Sequence, residues 1–202
     1  YDWELLDRFV SNIEVIWQMS MDTVGLDDTA EKLKQLLAEG KVLAQKYYVT
    51  TTNPPYMAWG SMSPLLQKLV KDKYSAEKND LFAVFIDACG RMLKSFGYQA
   101  MITQHSWMFL ASFEKARRTI LTRNIVNMIH LGARAFEEIA GEVVQTVAFV
   151  IFKKPVIHDY IGIYARLLSG NSQEEKENMF LRGENIFKTR QIGLEKIPGE
   201  PL

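Results

Sequence analysis

Asn53-Pro54-Pro55-Tyr56 is the short run in this chain whose residue types and order suggest chemistry. The Asn side-chain carbonyl and the adjacent proline carbonyl both accept hydrogen bonds, and the Tyr ring offers a flat stacking surface. Each proline fixes its own φ and pushes the residue before it toward extended backbone, so the two acceptors keep one geometry. A planar aromatic ligand carrying an exocyclic amine, with two N–H donors, suits such a set. A rigid turn capping a strand is the plainer reading of the same four residues, and the neighbouring segments decide between the two.

Other reactive side chains are isolated. His105 has no carboxylate or Cys at suggestive spacing and reads as a loop or cap histidine. Cys89 lies on the apolar face of a predicted helix and reads as a small core residue. Met57, Met62, Met101 and Met108 are scattered, and no Cys/His cluster offers a metal site. Trp59 and Trp107 are expected in the core. Between Phe113 and Arg134, Lys115, Arg117, Arg118, Arg123 and Arg134 face only Glu114. That segment reads either as a set of phosphate contacts or as an ordinary solvated face.

The elements that must position the loop follow from periodicity. Leu5, Leu6, Phe9, Val10, Ile13, Ile16 and Trp17 predict an amphipathic helix over about 2–20, and a second helix is expected over about 28–39, ended by Gly40. Tyr47 to Thr52, β-branched and aromatic, predicts a strand that breaks at Asn53. The loop therefore stands at the carboxyl end of a strand, where open α/β sheets hold their ligands. A helix is expected after Pro64. Another, over Asp80 to Lys94, carries Leu81, Phe82, Phe85, Ile86, Cys89, Met92 and Leu93 on one face, with Gly97 as its stop. Strands are predicted at Tyr98–Thr103, Ile125–Leu131, Val143–Phe152 and, last, Tyr160–Leu167. A helical stretch to about Leu121 lies between the first two of these. A polar helix and a loose tail follow Gly170. The alternation implies an α/β layer fold, a parallel sheet finished by a hairpin or antiparallel strand.

The composition agrees. The chain has 202 residues, 24 Lys+Arg against 24 Asp+Glu and 48% hydrophobic side chains, which excludes a disordered tail and supports one sound core. A single Cys excludes a disulfide-stapled scaffold and points to a reducing compartment. No apolar run reaches about 18 residues, so a soluble, cytoplasmic protein with no membrane partner is expected. Residues 1–50 hold nine acidic and five basic side chains, a poor phosphate-binding face.

With these motifs in order, the sequence resembles the amino-group DNA methyltransferases that make N6-methyladenine, whose catalytic motif is Asn or Asp, Pro, Pro, then Tyr or Phe. The resemblance extends through Asn79–Ile86, Leu93–Gln104 and Ser106–Met108 to Leu131–Phe136 and Val143–Ile151. It covers roughly residues 45–168. Asn53 through Ser61 and Gln104 through Leu110 are most similar to the PglX-type adenine methyltransferases of BREX phage-defence systems. The resemblance implies part of a Rossmann-like class I S-adenosylmethionine-dependent methyltransferase sheet with a C-terminal strand hairpin. It implies three stretches: a helical N-terminal segment at 1–44, the catalytic part at 45–168, and a polar helix and tail at 169–202. It also implies an adenine flipped out of double-stranded DNA. Asn53 and Pro54 would accept hydrogen bonds from the adenine amine, Tyr56 would stack on the base, and Phe136 would stack on its other side. Pro55, Leu81 and Phe85 would line the cofactor's adenine ring, and core packing is an equal expectation for Leu81, Phe85 and Phe136.

Two departures stand out. The family's Gly-rich cofactor loop normally precedes the catalytic motif, yet residues 1–52 contain only Gly25 and Gly40, neither after a strand-like run. The chain is thus expected to be a piece of a methyltransferase, inactive alone, with an apolar face open to self-association. Ser95-Phe96 replaces the family's usual Pro-Gly, a change of turn chemistry. A non-catalytic DNA- or protein-interaction module retaining the fold is the alternative function. Within the enzyme class, a protein glutamine or an RNA adenine would serve as another planar amine.

Overall fold

A computed structural model describes residues 2–18, 26–136, 144–196 and 201–202. The chain divides into two compact units, Tyr1–Lys46 and Tyr47–Leu202. The predicted Val143 and the turn residues after Gln18 lie outside the described residues.

The smaller unit is a pair of helices, α1 (Trp3–Gln18) and α2 (Leu26–Ala44). Asp2 caps α1 by accepting the Leu5 amide at 3.0 Å, and Lys41 of α2 donates to Asp7 of α1 at 2.7 Å. Here one expectation fails. Gly40 does not stop α2, which runs on through Ala44. A Cβ at position 40 would stand 3.4 Å from the Trp3 ring, an ordinary van der Waals distance, so the helix simply continues through a glycine packed beside the indole.

The larger unit is built on six strands: β1 (Tyr47–Thr52), β2 (Leu93–Gln104), β3 (Arg123–Gly132), β4 (Thr146–Pro155), β5 (Ile161–Arg166) and β6 (Ile186–Arg190). Their order is β1-β2-β4-β3-β5-β6. β1 and β2 are parallel, as are β3 and β5, while β4 runs antiparallel to both β2 and β3. The expected hairpin therefore forms, but its second strand returns into the gap between β2 and β3, and the sheet is mixed. β6 is an addition to the expected strands: it pairs antiparallel with β5, where a loose tail was predicted. Its run Ile-Phe-Lys-Thr-Arg is short and almost wholly exposed, so no local pattern marks it.

Alternation along β2 assigns its faces. Gln99, Met101 and Thr103 are buried under α4 (Leu81–Met92) and α5 (Glu114–Leu121), joined by Met128, Val147, Phe149 and Ile151 in one core. Tyr98 and Ile102 point to the other face, where Tyr98 is stacked on Phe152. Trp107 sits fully buried in the core and donates to Thr103 at 2.9 Å. α6 (Gln173–Leu181) follows the expected polar pattern, capped by Ser172. None of the described helices is long and apolar enough to cross a membrane.

Chain direction changes without a pause between α4 and β2, since Leu93 already pairs with Tyr47. Gly97 is no helix stop; its bare backbone lets the β1 carbonyl of Tyr48 approach, where a Cβ would lie at 2.9 Å. Phe96 has φ of 63°, a left-handed conformation that costs L side chains roughly 1–2 kcal/mol. At the far end of β2, His105 Nδ1 lies 2.8 Å from His130 Nε2 of β3, one ring donating to the other. Burial lowers both imidazoles. His130 falls to about 4, burial acting first, then the charges of His105, Arg166 and Lys176.

Two outcomes follow. Phe96→Gly and Phe96→Ala both delete the ring, but only Gly relieves the backbone, so chemical denaturation should find the Gly variant more stable by about 1 kcal/mol. A histidine with a depressed folded pKa adds stability that is present above its ordinary value of 6.5 and is lost as pH falls toward about 4. The wild-type midpoint should thus drop across that window relative to His130→Gln, whose profile lacks this contribution.

Candidate active site

β1 ends at Thr52, paired with Met101, and releases Asn53 at the same sheet edge where β2 gives way to His105 and β3 to its following turn. Pro54 is buried and Asn53 and Pro55 are exposed, so the loop is anchored by its second residue and presents the first and third. The Tyr56 hydroxyl donates to Asn53 Oδ1 at 3.2 Å. Burial raises the Tyr56 pKa, which keeps this hydroxyl protonated and a donor. Among the described residues no hydrogen bond claims the Pro54 carbonyl. The loop therefore holds one acceptor occupied by a displaceable hydroxyl and a second acceptor with no protein donor. The Tyr56 ring meets Phe82 edge-on, with centroids 6.2 Å apart and planes at 87°, so α4 supports the ring from its edge.

Beyond Tyr56 the chain is stitched to the start of α4. The Leu81 amide donates to the Met57 carbonyl at 2.9 Å, the Trp59 amide to the Asn79 carbonyl at 3.0 Å, and Ala58 and Asp80 form an antiparallel bridge. Asp80 caps α4 through the Phe82 amide at 3.3 Å and takes the Met57 amide at 3.0 Å with the same oxygen. It is 8% exposed. Burial raises its pKa, and the amides of Phe82, Met57 and Leu81 pull the other way. Sequence reasoning assigned Asp80 no role; the signal was an Asp directly before an apolar helical run, a strong N-cap pattern.

The remaining candidates are spread wider. Leu81 is 9% exposed and packs with Met62, Val70 and Val84, which favours its core role. Phe85 is only partly buried and bridges the two apolar clusters, leaving ring surface at the loop's end of α4. Phe136 lines a cavity with Ile102, Ile129, Leu131, Leu167 and Phe180, on the sheet face opposite α4. No ring contact joins it to Tyr56 among the described residues.

The basic segment does not form one face. Arg117 is 1% exposed and donates to the carbonyls of Trp107 at 2.9 Å and Leu110 at 2.6 Å, so it fastens the turns before α5 instead of meeting solvent or phosphate. Arg118 pairs with Glu114 one turn away. Arg123 lines a pocket with Glu77 and Asp87. A buried guanidinium that satisfies backbone carbonyls cannot be told from a surface one by composition. Cys89 is half-buried against the core and burial raises its pKa, the setting of an unreactive thiol. Among the described residues no group of three or more His, Cys, Asp or Glu could hold a metal ion.

The adenine-specific methyltransferase PglX of Lacticaseibacillus casei (strain Zhang) is 42% identical, over 100% of this chain and 17% of the relative. The adenine-specific methyltransferase BrxX of Escherichia coli O9:H4 (strain HS) is 40% identical over 87% of this chain and 14% of that protein. The chain thus spans about a sixth of the length of these relatives. Among solved structures, a chain from work on assembly and conformational transition of the type I R-M system superposes with a TM-score of 0.59 at 16% identity. It covers 80% of this chain and 38% of that one. The DrdV–DNA complex gives 0.59 at 15% identity, covering 76% and 18%. At these identities the structural matches establish a shared fold. The description Eco57I restriction-modification methylase matches residues 5–136, taking in both helices of the smaller unit and the Asn53–Tyr56 loop, and the chain belongs to that family.

Proposed function

We propose that this chain carries the amine-accepting loop of an S-adenosylmethionine-dependent DNA adenine N6-methyltransferase serving phage defence or restriction-modification. The observation that carries the reading is the Asn53 Oδ1 acceptor, exposed at a strand end and engaged only by the Tyr56 hydroxyl, beside an unclaimed Pro54 carbonyl. Two donors on one nitrogen match two acceptors. Relatives named adenine-specific methyltransferases support adenine as the planar amine, and a fold shared with a chain of a protein–DNA complex supports DNA as the polymer.

In this reading the base is flipped from the duplex and its amine donates to Asn53 Oδ1 and the Pro54 carbonyl, which turns the nitrogen lone pair out of conjugation and toward the incoming methyl. Tyr56 stacks on the base while Phe82 braces its ring. S-adenosylmethionine, when bound, would supply a methyl group on a sulfonium, whose thioether is a good leaving group. Methyl transfer would leave a neutral thioether, and the surplus amine proton would pass to solvent. Positioning therefore supplies much of the acceleration, and no strong base is needed. Pro55, exposed, and Phe85, with partly open ring surface, fit an apolar adenine ring and would hold that of the cofactor. Leu81 would act beneath them as packing. The buried Arg117 and paired Arg118 weaken the interaction-module alternative, because the basic segment offers no continuous docking face.

In the complete protein that carries this chain, Asn53→Ala should slow methyl transfer to duplex DNA by about 100-fold or more, as misplacement of a reacting atom does. An unchanged rate overturns the assignment. Tyr56→Ala should weaken binding of the flipped base by about 1–3 kcal/mol, the worth of an aromatic stack, while Tyr56→Phe retains most of it. Titration with duplexes containing an abasic site opposite or in place of the target adenine separates the stacking contribution from backbone binding.

A further inference from the structure

We propose that Asp80 is a positioning residue of the methyl-transfer site, holding the Asn53–Tyr56 loop in register with α4 through the bond it accepts from the Met57 amide. The inference rests on the function proposed above and assigns a role to a residue outside the loop.

Stiffness is not position. The two prolines make residues 53–55 rigid, but a rigid loop still swings as a body about its two exits. One exit is fixed by sheet pairing, Thr52 against Met101. The other exit is Met57, and its amide is held by one side chain, Asp80, 23 positions later in sequence. The same oxygen caps α4 at the Phe82 amide, and Phe82 is the residue that meets the Tyr56 ring. The same oxygen thus ties the loop's exit to the helix that braces its aromatic ring, beside the backbone bonds from Leu81 to Met57 and from Trp59 to Asn79.

Comparison with the other caps shows that capping alone does not require this residue. α3 (Pro64–Lys73) begins with Ser63, an exposed hydroxyl accepting from Leu66, and α6 begins with Ser172 accepting from Glu175. Those caps reach only their own first turn. At α4 the cap is a carboxylate with 8% exposure, whose burial opposes its charge and whose side chain is long enough to reach a second segment.

The test uses the complete protein that carries this chain, with Asp80→Ser, Asp80→Asn and Asn53→Ala. Serine keeps a helix cap, as at Ser63 and Ser172, but is too short to keep the Met57 bond. Asparagine keeps a carbonyl oxygen for both amides. Asp80→Ser should lower kcat for methyl transfer to duplex DNA by about 10- to 100-fold, with KM for DNA and for S-adenosylmethionine changing less than about threefold. Asp80→Asn should restore kcat to within about threefold of wild type. A purely structural Asp80 would instead shift the melting temperature and leave kcat of the folded enzyme unchanged in Asp80→Ser. That result overturns the proposal, as does an Asp80→Asn enzyme as slow as Asp80→Ser. If Asn53→Ala is inactive while Asp80→Ser is fully active, the role of Asp80 falls alone. If Asn53→Ala is fully active, the underlying function falls with it.

Discussion

The larger unit depends on the double pairing of β4. This strand is antiparallel to β2 along one edge and to β3 along the other, so its backbone groups are satisfied on both sides while Val147, Phe149 and Ile151 drive into the core. Because β4 runs against its neighbours, β1, β2 and β3 all deliver their carboxyl ends to one edge of the sheet. Asn53, His105 and the turn carrying Arg134 and Phe136 are gathered there as a result, although they are far apart in sequence. Without that insertion β2 and β3 would be parallel neighbours and the same edge would be narrower.

Irregular backbone in this unit is repaired by buried polar side chains. β3 changes register twice near its start, between Arg123 and Asn124 and between Ile125 and Asn127. Gln191, arriving just after β6, donates to the carbonyls of Leu121 and Arg123 and accepts the Ile125 amide. Asn124 reaches across to the Lys154 and Pro155 carbonyls and the Ile157 amide. Lys153 does the same at the α4–β2 junction, donating to Gly90 and Leu93. In each case a buried or half-buried polar group is matched to backbone groups that no regular ladder could satisfy. The sheet can therefore bend and change partners beneath the site without leaving open donors and acceptors.

This pattern explains what the amino-acid sequence could and could not reveal. The Asn53–Tyr56 loop was legible because Asn-Pro-Pro-Tyr is chemically unusual and follows a β-branched run, and α4 and β4 were legible because their apolar periodicity is strong. The insertion of β4 was not, since pairing partners are chosen by contacts far apart in sequence and leave no trace in local alternation. β6 was hidden by its exposure. Gly40 looked like a stop because glycine usually is one, yet the helix carries it in its interior and continues through Ala44. Arg117, His130 and Asp80 share another reason: a polar residue shows its purpose only when its partner, a carbonyl, an imidazole or a distant amide, is brought beside it. The site was thus readable in its loop and invisible in its supports.

The bond between Tyr56 and Asn53 has a consequence for selectivity. Asn53 Oδ1 is already engaged, so in the proposed function an entering amine would exchange one hydrogen bond for another and gain little net energy from that contact. A ring presenting a carbonyl at the same place would set two acceptors against each other after displacing a good donor, and would lose outright. In the proposed function the loop would work less as a source of affinity than as a polarity filter, sorting heterocycles of one size and shape by whether the group they present donates or accepts a hydrogen bond.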